Sequence, residues 1–311
     1  MAAASPPSIA PLSIAVVGLG GIGSTFAFHL ARAGHDVTAV ARPGSARLRQ
    51  LQRDGGVVRT TGERAQMAVA DSLDEAAVYD LVVVTVLAHQ VEALLPVLSR
   101  SQARCVQFMF NTFDPERLGA AVGAARCSFG MPFVMATVDG EGRLAATVSG
   151  GRRTLHGDAH WAALFQAAGV PSASEADMPL WLRCHAPLCV AMESISVAGE
   201  RSGDGASWAQ AMTVARGVGG GFAIIRGLGY RLHPSKAAIA AAPTALVAGL
   251  LWGASRLKTF RKLLATGEGE CRALADVMAE AGAAATPALP AAVAAVRAMK
   301  PSEASPSPPP G

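Results

Sequence analysis

The sequence predicts an α/β chain in two parts, an N-terminal doubly wound sheet followed by an all-helical domain. Three observations carry that expectation. A strand, a glycine turn and a helix follow one another at residues 12–33; short apolar runs then alternate with helical segments to about residue 133; and most of the second half repeats its apolar residues at helical spacing.

The elements follow in order. LSIAVVG (12–18) is a short apolar run with β-branched residues, and Ser24 to Ala33 carries a helical pattern. DVTAVAR after Gly34 is a second strand. LVVVTV after Asp80 is apolar throughout, as a strand buried on both faces of a parallel sheet must be. VQFMFN (106–111) and RCSFGMPF (126–133) continue the series, with a helix expected at Val91 to Ser99. From Ala136 to about Gly157, turn signals between short alternating runs read as a hairpin that ends the sheet domain. Helical spacing then runs through 161–168, 178–198, 209–228, 236–252 and 269–281. The expected division is a loose leader (1–11), a nucleotide-binding domain (12–170), a helical substrate and dimerisation domain (171–298) and a disordered Pro/Ser tail (299–311).

Composition narrows the class. The chain has 311 residues, 51% hydrophobic and 16% charged, enough apolar content to offset the entropy of ordering two cores. No 20 to 50 residue repeat is visible, which excludes a solenoid. Lys and Arg number 27 against 23 acids, with no basic run, so small anionic ligands are expected rather than nucleic acid. The five cysteines form no C-x-x-C pair, and the seven histidines show no metal-ligand spacing; reduced thiols, a cytoplasmic setting and no metal are expected. The opening residues lack the basic n-region of a signal peptide. Ala237 to Ala254 is uncharged over 18 residues, but Pro243 and the absence of a second span favour a buried helix over a membrane segment.

Gly18-Leu19-Gly20-Gly21-Ile22-Gly23 matches G-x-G-x-x-G between a strand and a helix, the Rossmann-type dinucleotide fingerprint. The first glycine permits the tight turn, the second lets a pyrophosphate approach the backbone, and the third lets helix pack on strand. An NAD site would then place an acid at the end of the second strand. Here Arg42 stands 19 residues after Gly23, suited to a 2′-phosphate, with Arg47 near it, so NADPH/NADP is the expected cofactor; a solvated loop charge is the alternative for Arg42.

These motifs, together with DLVVVTVLAHQ (80–90), FNTF (110–113), GMP (130–132), WLRCHAPL (181–188) and GECRAL (269–274), resemble the ketopantoate reductase (2-dehydropantoate 2-reductase) family in order and spacing, over nearly the whole chain. The resemblance implies a Rossmann domain joined to a helical domain similar to that of 6-phosphogluconate dehydrogenase. It also implies an active site in the cleft between them, and a homodimer. Cofactor contacts implied are Gly18 to Gly23, Arg42, Leu87, Gln90, Asn111 and Glu270, with His89 a further candidate at the same strand end.

The chain departs from the family's chemistry. Its Lys-Ala-x-Gln becomes Leu87-Ala88-His89-Gln90, and its His-Asn-Gly becomes Phe110-Asn111-Thr112. Counted from Trp181, the proton-donating lysine falls on Arg183 and an asparagine four residues later on Pro187. Lys258 lies near the position of the family's Ser-Ser-Met, and the family's glutamate falls on Glu270. A guanidinium stays protonated, so Arg183 can hold an anion or an alkoxide without acting as an acid, which turns attention to His185. The run Trp181 to Ala186 is similar to a WLR-x-H-A pattern of one family branch. Two residues apart on a helix, Arg183 and His185 point about 200° apart, and reach one ligand only if Pro187 distorts the helix. Arg183, His185, Asn111 and Glu270 are the expected catalytic set. A structural histidine and a solvated helix-start acid are the alternatives for His185 and Glu270, and Glu193 either faces the site or pairs with an arginine such as Arg216.

The expected activity is an NADPH-dependent oxidoreductase acting on a small-molecule C=O or C=N group. Three altered substrate-contact positions point away from ketopantoate. The rivals are a redox-neutral specialised-metabolism enzyme on the same fold, a cyclase or isomerase, and a non-catalytic NADPH-binding sensor.

Overall fold

A computed structural model describes residues 10–148, 151–264 and 268–301, with the Leu263 side chain outside that description. The expected leader (residues 1–9 of it), two residues of the expected hairpin and all but the first residues of the expected tail therefore lie outside the described residues. The chain forms two compact units. One gathers the chain up to Phe110 with Pro115–Pro179, and the other joins Asn111–Asp114 to the residues from Leu180 onward. The first unit thus runs on past residue 170, and a four-residue turn inside it is counted with the second.

In the first unit β1 (Ser13–Val17) leads through the glycine turn to α1 (Gly21–Arg32), then β2 (Asp36–Val40) and α2 (Ala46–Asp54). Three short strands follow, β3 (Gly56–Val58), β4 (Arg64–Gln66) and β5 (Ala68–Ala70), then β6 (Leu81–Val84). The expected helix at 91–99 is a 3-10 turn (Ala88–Ala93) and a short α3 (Leu95–Arg100). Pro96 lies in the first turn of α3, where a missing N–H costs nothing. Next come β7 (Val106–Met109), α4 (Pro115–Val122), β8 (Cys127–Met131), β9 (Met135–Val138), β10 (Leu144–Thr147), β11 (Thr154–His156), α5 (Ala159–Ala167) and β12 (Ser172–Ser174).

The main sheet has the order β12-β11-β8-β7-β6-β1-β2-β5, parallel except where β11 meets β8. Strand order reverses at β1, with β2 on one side and β6 on the other, and such a reversal leaves a crevice at the carboxyl ends of the strands. β1 and β6 are buried almost throughout, which is why they read as unbroken apolar runs. Phe26 of α1 and Phe165 of α5 meet edge to face at 5.0 Å, both fully buried, and each such burial stabilises by about 2–3 kcal/mol. The expected hairpin is β9 with β10, whereas β11 leaves it to join the main sheet.

The second unit holds α6 (Met178–Ser202), whose first two residues count with the sheet unit, then α7 (Trp208–Gly227), α8 (Pro234–Ala241), α9 (Thr244–Ser255), α10 (Lys258–Leu264), α11 (Glu268–Ala284) and α12 (Pro290–Ala298). The single buried helix expected at 236–252 is corrected here: it breaks before Pro243, and α8 and α9 meet at 103°. The residue before a proline is driven out of the helical region, and Ala242 is extended (ψ 144°). Nor is this pair wholly core, because α8 buries no residue and Leu246 and Leu250 of α9 are exposed. Among the described residues no single helix is long and apolar enough to cross a membrane, although the bent pair passes on length and composition.

α6 runs on as α-helix through Pro187, with no break in the element at the proline. The facing helix makes room for the ring: a Cβ on Gly221 of α7 would stand 2.6 Å from Pro187 Cγ. Gly219, two residues earlier, is exposed and meets nothing. Gly221→Ala is therefore expected to destabilise by about 1–3 kcal/mol through overpacking. Gly219→Ala should be neutral or stabilise by up to about 1 kcal/mol through helix propensity. Urea-unfolding midpoints of the two variants check the contrast.

Candidate active site

The glycine turn sits at the strand-order reversal. Gly18 has φ +96°, a conformation that side chains disfavour, and a Cβ there would stand 2.8 Å from Val86 Cγ1 at the end of β6. A Cβ on Gly23 would collide with the Gly18 carbonyl and Thr85 Oγ1, and one on Gly21 with the Ala136 carbonyl of β9. Gly20 alone of the four faces open space, as a backbone that receives a ligand must. It is also the N-cap of α1, whose first turn has no side-chain cap and no acid, so the positive end of the helix is left for an anion. These features fit a dinucleotide pyrophosphate.

Around this turn Leu19 is buried in the sheet core and Ile22 packs against it, so those two side chains serve the fold. Arg42 is exposed just past β2, while Arg47 is committed elsewhere: its guanidinium donates to the Leu19 and Gly142 carbonyls and to Ser24 Oγ at 2.8–3.0 Å. Arg47 thereby ties the turn to the β9–β10 hairpin. Leu87 is exposed past the end of β6, and its backbone N–H donates to Gln90 Oε1 at 3.4 Å.

The helical unit carries the other cluster. Asn111, in the turn after β7, accepts a hydrogen bond from Cys189 Sγ at 3.1 Å on Oδ1, and its side chain also bonds the Glu270 carboxyl. Cys189 lies four residues after His185 and four before Glu193, so the three share one stripe of α6. Burial raises the Glu193 carboxyl to about 8, and the facing charge of Glu270 adds to the rise. Burial raises Glu270 also, and the Asn111 bond pulls it partly back. Burial drives the Cys189 thiol far up and Cys271 to about 12, which leaves both as inert thiols.

Arg183 falls on the other side of α6. Its Nε donates to the Phe113 carbonyl at 3.1 Å and its guanidinium lies 3.8 Å from the Tyr230 ring centre, so it clamps the turn that carries Asn111. His185 packs its ring on Trp181 at 4.4 Å. Lys236 of α8, not singled out from the sequence, lies 4.3 Å over that same indole, and its charge acts on Cys189. No sequence signal marked it, since it is 55 residues from Trp181. Glu268 takes the ion pairs with Arg201 and Arg272 at the start of α11, while Glu270 turns inward. Arg216 is exposed, and the group facing Glu193 is Glu270. Lys258 is exposed at the start of α10.

His29, His35 and His156 bond backbone or neighbouring side chains, and among the described residues no three His, Cys, Asp or Glu side chains are grouped to hold a metal. A groove of about 660 Å³ lined by Cys105, Cys127 and Trp161 opens beside the first residues of β7 and β8, away from the strand ends that carry the glycine turn.

A parallel sheet with this turn at its reversal point is a Rossmann-type nucleotide-binding unit, here followed by a helical unit, as in two-domain oxidoreductases. The sheet-bearing segment belongs to the ketopantoate reductase PanE/ApbA family, whose model matches residues 14–159. No curated protein sequence matches the chain. Solved structures share the fold of both units. A PanE/ApbA family ketopantoate reductase from Ralstonia eutropha JMP134 is 20% identical with TM-score 0.68, over 93% of this chain and 98% of that one. A D-mandelate dehydrogenase in complex with NADH is 14% identical with TM-score 0.71, over 93% and 97%. A 2-dehydropantoate 2-reductase from Methylococcus capsulatus is 19% identical with TM-score 0.66, over 93% and 96%. The family match thus covers the sheet-bearing segment, and the likeness of the whole chain to these structures is one of fold.

The carboxyl pair has a consequence for stability. Glu193 ionises near 4.5 when unfolded and near 8 when folded, so between those values the folded chain binds more protons and stability falls as pH rises; above about 8 the loss is complete. The Tm of Glu193→Gln relative to the unsubstituted protein is expected to climb from pH 5 to pH 8.5. A difference independent of pH in thermal-unfolding scans would contradict the assignment.

Proposed function

We propose that the protein is an NADPH-dependent reductase that reduces a C=O or C=N bond in a small-molecule substrate other than ketopantoate. The observation that carries this reading is the uncapped, acid-free start of α1 behind Gly20, with Arg42 exposed just past β2. Backbone N–H groups of the glycine turn would hold the pyrophosphate and Arg42 the 2′-phosphate, while Leu87 and Gln90 flank the end of β6. When bound, the nicotinamide supplies the hydride.

Asn111 and Glu270 would orient the substrate's polar end, and His185 stands on the same stripe of α6. Arg183 is assigned a supporting part, because its contacts hold the Asn111 turn. A solved relative binds NADH, and it is Arg42, in the place where an NAD site carries an acid, that favours NADPH for this chain.

Fluorescence titration is expected to show NADPH binding about 10- to 100-fold more tightly than NADH, with Arg42→Asp abolishing or reversing the preference, the scale of one charge-assisted phosphate contact. NADPH absorbance should fall on mixing with a member of a panel of 2-oxo acids, ketones and cyclic imines. Equal affinity for both cofactors, unmoved by Arg42→Asp, would remove the NADPH assignment.

A further inference from the structure

The charge of this chain is gathered in one place. Residues 205–264 carry eight Lys and Arg and no Asp or Glu, whereas the rest of the sequence carries 19 basic residues against 23 acids. The surplus of +4 therefore comes from a single segment, which runs from just before α7 to the end of α10. Arg256 just past α9, and Lys258 and Lys262 on α10, are exposed. Arg261 instead turns inward onto Glu200 and the Ser255 and Gly203 carbonyls. Of the acids that flank the segment in sequence, Glu200 is thus paired, and Glu268 is held by Arg201 and Arg272.

The same segment presents apolar side chains to water. α9 packs on α7 and buries Val247, Ala248, Leu251 and Ser255. Its opposite face carries Leu246, Leu250 and Gly253, at i, i+4 and i+7. Leu246 and Leu250, with Leu257 just past the helix, are each more than half exposed. Trp208 at the start of α7 is about half exposed and meets Trp252 of α9 edge to face at 6.4 Å, and the Arg256 guanidinium lies 3.8 Å from the Trp252 ring centre. Leucine, tryptophan and cation therefore occur together on and around one helix.

This combination selects among occupants. A second copy of the chain, seated on the same face, would bring these cations opposite themselves. A nucleic acid would engage the cations and leave the leucines in water. An anionic bilayer uses both, since Leu and Trp enter the boundary between headgroups and acyl chains while Lys and Arg meet the lipid phosphates. α9 has 12 residues and rises about 18 Å, short of a hydrocarbon core of about 30 Å, and the chain bends by 103° ahead of it. Such a helix lies on a membrane and does not cross it.

We propose that the exposed face of α9, with the basic residues at its carboxyl end and on α10, docks the protein on an anionic membrane surface. The surface belongs to the helical unit alone and stands whatever cofactor the sheet unit binds.

Co-sedimentation of the full-length protein with two kinds of vesicle tests this, one of phosphatidylcholine alone and one with about a third phosphatidylserine. Binding to the phosphatidylserine vesicles is expected to be about 10-fold or more tighter, and to weaken about 10-fold between roughly 0.1 and 0.5 M salt. Leu246→Gln with Leu250→Gln should lower that affinity about 10-fold, and Lys258→Gln with Lys262→Gln should do the same. Both double variants should keep the urea-unfolding midpoint, because the side chains they change are exposed. Failure to bind the phosphatidylserine vesicles, or binding that the leucine substitutions leave unchanged, overturns the proposal. A dimer that the leucine substitutions dissociate, with no vesicle binding, overturns it in favour of an interface between copies.

Discussion

The hydrogen bond from Cys189 Sγ to Asn111 Oδ1 is the contact on which the helical unit's polar interior depends. A carboxyl buried among alanine- and glycine-rich helices needs a partner for its charge or must keep its proton. Asn111 comes from a turn within the sheet unit's stretch of sequence, yet that turn is packed as part of the helical unit. Arg183 holds the same turn through the Phe113 carbonyl, and Cys189 holds Asn111 from α6. With one carboxyl partnered, the second, Glu193, is left the neutral member of the pair.

That arrangement requires an unbroken α6. Had Pro187 broken the helix, His185, Cys189 and Glu193 would not form one stripe. The proline is tolerated because α7 offers Gly221 opposite its ring, and α7 packs closely on α12 through Gly217 and Gly220, where a Cβ would strike Met299 and the Ala292 carbonyl. The glycine content thus has two uses: close approach between helices here, and open backbone at Gly20 in the sheet unit. The two regions obey different physics, since one offers helix-end N–H groups to an anion and the other holds half-buried acids.

Much of the sheet unit was legible in the sequence. β1, β6 and β7 are buried on both faces, so apart from Ser13 and Gln107, the latter bonded to His156, their residues are apolar, and the glycines had to stand where turn, ligand approach and helix packing require them. β3, β5 and β12 are three residues each, and β12 is Ser-Ala-Ser, too short and too polar to show a period. In the helical unit, periodicity fixed where helices run but not which face meets which partner. Counting from Trp181 pointed to Arg183, whereas Asn111 meets the stripe that begins at His185, because a two-residue offset carries a side chain to the far side of a helix. The choice between Glu268 and Glu270, or the approach of Lys236, depends on contacts between segments distant in sequence, which no local pattern records. The break at Pro243 was visible as a proline, but the run of apolar residues around it outweighed that signal.

The central claim is that this chain transfers a hydride from NADPH to carbon. The direct measurement is a single turnover with NADPH carrying deuterium at the transferable C4 position, followed by mass analysis of product and cofactor. The account predicts deuterium on a carbon of the product and its loss from the nicotinamide. Product formed with the label still on the cofactor, or tight binding with no transfer to any C=O or C=N compound, would contradict it.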